Sequence, residues 1–181
     1  MRPRYLAIII LLLCLAVPGP AVEDEAVVKS LLIEKISLFV RWPEQSGIND
    51  KSQPFIIGVI GENPLTSVIG KVYAQKKIKN KNVEIRQISR LNQIAGCHVL
   101  YISASLEKIL SQILNVTKDM PVLTVGDTLG FAEQGVLVNF YVFQNRLHFE
   151  INEPAFRRTP LSVSTRLLEI AKIVAPPGAG K

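Results

Sequence analysis

The chain has 181 residues, a formal net charge of +6 and two cysteines. Its length suits one domain with a core of its own. The sequence contains no clustered metal ligands, no nucleophile–base–acid set and no glycine-rich phosphate loop, so it matches none of these catalytic classes.

The first 21 residues have the pattern of an export signal. Arg2 and Arg4 precede an unbroken apolar run over residues 6–17, and prolines and small residues follow at 18–21. The run is shorter than the ~20 apolar residues of an ordinary transmembrane helix. We expect a cleaved signal peptide at 1–21 and a periplasmic protein, with an uncleaved signal anchor as the alternative.

The mature chain opens on a predicted helix over residues 24–40. Proline 43 ends this helix, because proline disfavours helical backbone in the residue before it. Apolar residues recur along it at helical spacing: Val28, Leu32, Ile36 and Phe39.

Strands and helices then alternate along the chain. Asn63 and Ser105 are predicted to cap two of the helices. Strands are predicted at 55–60, 83–88, 99–102 and 121–125, helices at 63–73 and 105–114, and a short helix before residue 99. This order predicts an α/β layered domain with a mainly parallel sheet and helices on both faces.

The pattern changes after residue 134. Residues 135–142 and 146–151 read as an antiparallel β-hairpin at one edge of the sheet. A last helix is predicted over 153–174 and a disordered tail over 175–181. The expected domain therefore spans residues 22–174.

The lysine cluster and the two cysteines limit which molecules the chain is expected to bind and which disulfides it can form. Lysines cluster between residues 71 and 81, which suits a solvated connection, a nucleic-acid patch or anionic lipid headgroups. Export argues against nucleic acid. Cys14 belongs to the signal, so Cys97 is left without an internal disulfide partner. We expect Cys97 to be a buried, slowly reacting thiol.

Two segments carry candidate ligand contacts. Asp127 and Phe131 follow a predicted parallel strand, and ligands of such sheets bind at the carboxyl ends of strands; a tight glycine turn is the alternative. Arg157 and Arg158 lie near Asn152 at a predicted helix start, where an anion is favoured; two solvated arginines are the alternative.

Arg41 and Trp42 end the first helix, and Trp42 is either a core lid or an interface contact. Cys97 beside His98 could suggest a nucleophile and its base, but neighbours on a strand point to opposite faces. His98, His148 and Glu150 form no spacing that is specific for a metal. We expect neither catalytic residues nor a metal site, and no cofactor.

Several short motifs, in order along the chain, resemble the YfiR-like family of periplasmic regulatory proteins. The resemblance extends from about residue 29 to about residue 174. The matching segments are Phe39–Val40–Arg41–Trp42–Pro43, Cys97–His98, the loop with Leu123, Thr124, Val125, Asp127, Gly130, Phe131 and Ala132, then Asn139–Phe140, Phe149–Glu150–Ile151–Asn152, and Leu161, Ser164, Arg166, Leu167 and Leu168. Gln134 and Pro160 stand where glycines are usual, and the cysteines that form disulfides in some members are absent.

The resemblance implies a regulatory protein rather than an enzyme. Such a protein binds and represses an inner-membrane signalling protein, here most simply the sensor domain of a diguanylate cyclase or a kinase. A second copy of the chain is a further candidate partner. The alternative function is a small-ligand-binding periplasmic domain that feeds a sensor kinase or transporter.

Overall fold

A computed structural model describes residues 22–63 and 65–174. The predicted signal peptide at 1–21 and the predicted tail at 175–181 lie outside the described residues. The described chain forms an α/β domain with a mixed, mostly parallel sheet and helices on both faces, which confirms the predicted fold class.

Six α-helices and ten strands make up the described part. The helices are α1 (Val22–Phe39), α2 (Leu65–Tyr73), α3 (Leu110–Thr117), α4 (Phe131–Gln134), α5 (Glu153–Phe156) and α6 (Thr165–Leu168), with 3-10 turns at Glu44–Ser46, Leu91–Ile94 and Ala104–Ile109. The strands are β1 (Val40–Arg41), β2 (Phe55–Ile60), β3 (Lys77–Ile78), β4 (Lys81–Ile88), β5 (Val99–Ile102), β6 (Leu123–Gly126), β7 (Val138–Phe143), β8 (Arg146–Asn152), β9 (Ser162–Val163) and β10 (Lys172–Val174).

The main sheet has the strand order β10-β8-β7-β6-β5-β2-β4-β3. Strands β4, β2, β5, β6 and β7 are mutually parallel, which gives the 2-1-3-4-5 order of a doubly wound sheet. In the sheet, β4 lies next to β2 on one flank and β5 lies next to β2 on the other. The strand order therefore reverses between β2 and β5.

Two apolar cores cover the two faces of the sheet. One core packs α1, α2, α5 and α6 against the sheet, with Phe55, Tyr101 and Phe140 among its large side chains. The other packs α3, α4 and the Leu91–Ile94 turn against the opposite face. This arrangement is expected when the connections of a parallel sheet cross on both sides.

The first helix buries three of the four predicted apolar positions and several others beside them. Ile36 is buried, and Leu32 and Phe39 pack against the core, whereas Val28 is exposed. Ala26, Ser30, Ile33 and Ser37 are buried as well, and the two serines interrupt the apolar pattern on that side of the helix. Ser30 is tolerated there because its hydroxyl donates to the Ala26 carbonyl at 2.8 Å.

The predicted last helix over 153–174 is wrong. That segment forms two four-residue helices, α5 and α6, separated by β9, and then β10. Pro160 interrupts it, because proline lacks an N–H and disfavours helix in the preceding residue. Backbone pairing decides the rest: Val163 pairs with Val40, and Ile173 pairs with Ile151.

Two smaller expectations also change. The helical segment after β5 is capped by Ser103, whose hydroxyl accepts from the Ser105 N–H, rather than by Ser105. The β7–β8 hairpin forms as predicted, but β10 pairs alongside β8, so the hairpin does not form the sheet edge over that stretch. Within residues 22–63 and 65–174, no helix is both long and apolar enough to cross a membrane.

Candidate functional site

A cavity of about 350 Å³ opens at the carboxyl ends of β2, β5 and β6. It lies beside the point where the strand order reverses, which is where open α/β sheets hold their ligands. The first turns of α1 cover one side of it. The lining residues are Glu25, Ala26, Lys29, Glu62, Asn63, Leu65, Ser103, Ala104, Ser105 and Asp127.

Two helix starts fix the loops around this cavity. After β2, the Asn63 side-chain oxygen accepts from the Leu65 N–H at 2.8 Å and so caps α2. After β5, Ser103 caps the following turn and donates to the Glu62 carbonyl, which ties the two loops together. The cavity walls are therefore held by hydrogen bonds between neighbouring loops.

An ion-pair triad joins α1 to the loop after β6. The Lys29 ammonium lies 2.5 Å from Asp127 and 2.7 Å from Glu25. Burial alone would lower the pKa of Lys29, but the hydrogen bonds to Asp127 and Glu25 outweigh it and raise that pKa. Lys29 is therefore a fixed cation at the cavity wall.

Tyr101 lies beneath the triad on β5. Its ring is fully buried, and its hydroxyl makes no hydrogen bond of normal length and angle among the described residues. Burial, together with the nearby Asp127 carboxylate, raises its pKa, so the hydroxyl keeps its proton. Buried hydroxyls are nearly always bonded. This one lies close to the Asp127 and Asn63 side chains, and Tyr101 itself is not among the residues that line the cavity.

The loop after β6 depends on two glycines. Gly130 has φ 85°, a conformation that side chains other than glycine rarely adopt. A Cβ on Gly126 would stand 2.9 Å from the Phe131 ring, so Phe131 packs directly on that backbone. The loop thus combines the two interpretations of the sequence: it is a glycine turn, and its Asp127 lines a cavity.

A buried polar cluster supports the same loop from β7 and β8. Asn139 donates to the Thr128 carbonyl and to Glu150, each at 3.0 Å. Glu150 also pairs with Lys172 of β10 at 2.9 Å. Glu150, which the sequence analysis considered beside His98 and His148, is buried and is occupied by these partners.

Arg41 and Trp42 lie on the other side of the domain from the cavity, at the amino ends of the strands. Trp42 is buried, packs edge-on against Phe55 at 5.7 Å and donates to the His98 carbonyl at 3.2 Å. Phe55 begins β2 and His98 precedes β5, so this cluster stands at the amino ends of strands whose other ends border the cavity. Arg41 is exposed beside it.

The predicted arginine site is only partly assembled. Asn152 is fully buried; its oxygen caps α5 and its amide donates to the Ala132 carbonyl at 2.7 Å. Arg157 is exposed and pairs with Glu153 at 2.7 Å. Arg158 borders a second cavity of about 600 Å³ near Lys118. This cavity is larger, but the smaller one is lined by the ion-pair triad of Glu25, Lys29 and Asp127.

The structure thus brings Asp127 and Phe131 into one loop and leaves Arg41 and Trp42 at the far edge. Sequence reasoning missed Lys29 and Tyr101. Lys29 is 98 positions from its partner Asp127, and no local pattern links them. Among the described residues, no group of three or more His, Cys, Asp or Glu side chains is arranged to hold a metal.

A known protein family matches this chain over most of its length. No curated protein matches the chain. A family model described as YfiR/HmsC-like matches residues 26–172. The match begins in α1 and ends in β10, so it covers the helix and strands that build both edges of the sheet. The chain belongs to the YfiR/HmsC-like family.

Proposed function

We propose that this protein is a periplasmic regulator that binds and represses an inner-membrane signalling protein, the sensor domain of a diguanylate cyclase. The observation that carries the proposal is the family match over residues 26–172, nearly the whole described domain. The family is one of periplasmic regulators of diguanylate cyclase signalling. This chain is proposed to act in the same way, by binding rather than by catalysis.

Repression of this kind needs only differential affinity. A protein that binds the inactive state of its partner more tightly than the active state shifts the partner towards inactivity. To move the partner from an inactive-to-active ratio of 1:99 to one of 99:1, the repressor must bind the inactive state about 10⁴-fold more tightly than the active state. Export by the signal pattern at 1–21 is part of the proposal, because it brings the domain to the partner's periplasmic side.

Exposed apolar side chains at the carboxyl edge of the sheet support a protein contact. Leu129, in the loop after β6, is 91% exposed, and Val142 and Phe143 at the hairpin tip are each 57% exposed. Because β6 and β7 are parallel, the loop and the hairpin tip project from the same edge. Single exposed apolar residues are ordinary, and these three are candidates for a partner contact because they project from the same end of the strands. We name Leu129, Val142 and Phe143 the carboxyl-edge apolar surface.

The predicted binding residues take different parts in this proposal. Exposed ones can meet a partner directly, and buried ones position the backbone beneath a contact. The exposed residues are Arg41, Arg157 and Arg158, the buried ones are Trp42, Phe131 and Asn152, and Asp127 stands partly buried in the cavity wall.

The test is deletion of the gene with complementation. Deletion is expected to raise cyclic-di-GMP, and the full chain is expected to restore the original concentration. The same chain without residues 1–21 is the matched control and should fail to restore it. Unchanged cyclic-di-GMP after deletion, with no membrane protein recovered by periplasmic crosslinking, would contradict the proposal.

A second candidate function is small-ligand binding that feeds a sensor kinase or transporter. The cavity at the carboxyl ends of β2, β5 and β6 favours it, because its volume of about 350 Å³ falls within the range of ligand pockets. Saturable binding of a small molecule that leaves cyclic-di-GMP regulation untouched would favour this function over the first.

A further inference from the structure

The larger cavity, of about 600 Å³, opens at the amino ends of β6 and β7. It lies between the C-terminal end of α3 and the turn that follows α5, and it shares no lining residue with the smaller cavity. Its volume falls within the range of small-molecule sites, which are mostly apolar with a few polar groups. The apolar part of its wall consists of buried or half-buried side chains: Leu114, Val122, Leu137 and Ala155.

Two cations border this cavity without partners of their own. Lys118 and Arg158 both line it, and both are exposed. Neither side chain forms an ion pair or a hydrogen bond with another described residue. The neighbouring Arg157, by contrast, pairs with Glu153 at 2.7 Å and does not line the cavity. The donors of Lys118 and Arg158 are therefore open to a ligand, and a guanidinium can bind a carboxylate through two parallel hydrogen bonds.

The hydroxyl of Thr124 is an independent sign of a ligand. Thr124 lines the cavity, although the residue is only 2% exposed. Its hydroxyl oxygen accepts from the Leu137 N–H at 3.0 Å, but its hydroxyl proton has no acceptor among the described residues. Buried polar groups are nearly always bonded. The unused donor is therefore explained by an acceptor that enters from the cavity.

These open positions favour an anion with an apolar body. The ammonium, the guanidinium and the Thr124 hydroxyl proton are all donors, and an ionised carboxylate accepts at about four lone-pair sites. Asp119 is the one carboxylate among the lining residues, and it forms no ion pair with Lys118 or Arg158. Two cations outweigh this single carboxylate, so the net charge of the wall attracts an anion.

We infer that this cavity binds a small organic carboxylate, with Arg158 and Lys118 balancing its charge and Thr124 donating to one of its oxygens. Its apolar body lies against the apolar part of the wall. The inference goes beyond repression of a membrane partner, which does not require it, and it uses none of the residues around the Lys29–Asp127 pair.

The probe is para-hydroxyphenylacetate, titrated calorimetrically into the full chain purified from the periplasm at pH 7. Three controls each change one property of the probe. Tyrosol has a neutral alcohol in place of the carboxylate, tyramine has an ammonium, and acetate lacks the apolar body. We expect saturable binding of the probe and binding of each control that is weaker by about tenfold or more. Salt should weaken probe binding, because both cations are exposed.

Substitution of the exposed cations locates the site without touching the core. Arg158→Gln and Lys118→Gln should each lower the affinity for the probe about tenfold, because each removes a charge-assisted hydrogen bond. Arg157→Gln, at an exposed arginine outside the lining residues, is the matched control and should bind as the unmodified chain does. Asp119→Asn should tighten binding, because it removes a negative charge from the wall.

The Thr124 hydroxyl is tested by a pair of variants. Thr124→Val removes the hydroxyl and should lower probe affinity about tenfold. Thr124→Ser keeps the hydroxyl, and with it the acceptor for the Leu137 N–H, so it should bind nearly as the unmodified chain does. If Thr124→Val also lowers the melting temperature, the two exposed cations still decide the inference.

Three outcomes would overturn the inference: no saturable probe binding up to about 10 mM, a range that already reaches beyond weak millimolar affinity; equal binding of any of the three controls; or unchanged affinity in both Arg158→Gln and Lys118→Gln. Weaker binding in Asp119→Asn would show that the site prefers a cation and would also overturn it. The repressor proposal is tested by cyclic-di-GMP in cells, so either can fail without the other.

Discussion

The ammonium of Lys29 and the carboxylate of Asp127 meet at 2.5 Å, although 98 positions separate them in the chain. Lys29 lies on α1 and Asp127 follows β6, so this pair fastens the first helix over the carboxyl ends of the strands. Both side chains are largely shielded, with 12% and 20% of their surface exposed. The contact therefore shapes the cavity as well as the fold.

Loss of Lys29 should destabilise the domain. Lys29→Met keeps most of the apolar stem but leaves Glu25 and Asp127 as neighbouring carboxylates without their cation. Removing one partner of a buried pair costs ~3–5 kcal/mol, and this pair is only partly buried, so we expect about 2 kcal/mol. Urea unfolding of both proteins gives the difference.

The matched control for Lys29 is Glu153→Gln, which breaks the exposed Arg157–Glu153 pair. Exposed pairs contribute little, so its free energy of unfolding should equal that of the unmodified chain. Equal stabilities for Lys29→Met and Glu153→Gln would show that the Lys29–Asp127 contact has no structural weight.

His98 should make stability depend on pH between 6.5 and 4. Burial, together with the Lys81 ammonium, lowers the pKa of His98 to about 4. Its Nδ1 accepts from the Ile56 N–H at 3.0 Å, so protonation there breaks that bond. The unfolded chain binds the proton first as pH falls below 6.5. The contribution of neutral His98 to the free energy of unfolding is therefore fully present above pH 6.5. It declines towards pH 4, by up to about 3 kcal/mol.

The His98 contribution is isolated by comparison with His98→Gln, whose amide oxygen can still accept from the Ile56 N–H. Chemical unfolding at several pH values should show a smaller loss of stability in this variant. His148→Gln, at an exposed position, is the matched histidine control and should keep the full loss. An identical pH profile in His98→Gln would contradict the assignment.

Local patterns were sufficient for the central strands. The runs at 55–60 and 99–102 were predicted with the bounds of β2 and β5, because a strand buried on both faces is a continuous apolar run. The predicted last helix failed because Leu167 and Ile170 have helical spacing, while Pro160 and backbone pairing with β1 and β8 decided the structure. Pairing between distant segments leaves no local signal.

The candidate site was predictable to the same extent. Asp127 was identified because it follows a parallel strand, and it does line the cavity. Lys29 looked like an ordinary helix lysine, and Tyr101 like an ordinary strand aromatic. Their roles depend on where α1 crosses the sheet and on the reversal of strand order between β2 and β5. Neither the position of α1 over the sheet nor the strand order can be predicted from the few residues around each site position.

A side chain at Gly58 should destabilise the domain unless Cys97 is replaced by a smaller residue. A Cβ at Gly58 would stand 2.9 Å from the Cys97 sulfur and 3.1 Å from Ile88. Gly58→Ala should therefore cost about 1–3 kcal/mol through overpacking. Adding Cys97→Ala should recover part of that loss, so the double variant is more stable than the sum of the singles predicts. Urea unfolding of the four proteins measures the coupling.

Gly70→Ala is the matched control for Gly58, because a Cβ at Gly70 meets nothing within 4 Å. This position lies in α2, where alanine is favoured over glycine by about 0.5–1 kcal/mol, so stability should rise. Strict additivity of Gly58→Ala and Cys97→Ala would show that the sulfur is not the group in the way.

Cys97 should react slowly with a maleimide in the folded protein. The thiol is buried, and burial raises its pKa, so little reactive thiolate forms at neutral pH. Denaturation should accelerate labelling sharply, and Cys97→Ala gives the unlabelled baseline. Rapid labelling of folded protein, or a Cys97-linked dimer isolated from the periplasm, would contradict the prediction.

The carboxyl-edge apolar surface is tested by Leu129→Asp. Leu129 is 91% exposed, so a charge there costs the fold little, whereas in a partner interface it becomes a buried, unpaired carboxylate. Cyclic-di-GMP should rise towards the concentration found after gene deletion, with protein amount and melting temperature unchanged. Leu38→Asp is the matched control. Leu38 is also an exposed leucine, but it lies at the C-terminal end of α1, away from the carboxyl ends of the strands, so this variant should repress normally. If Leu129→Asp represses normally while Arg41→Glu or Arg158→Glu does not, the partner binds the amino edge of the sheet, and the carboxyl-edge surface is the wrong one.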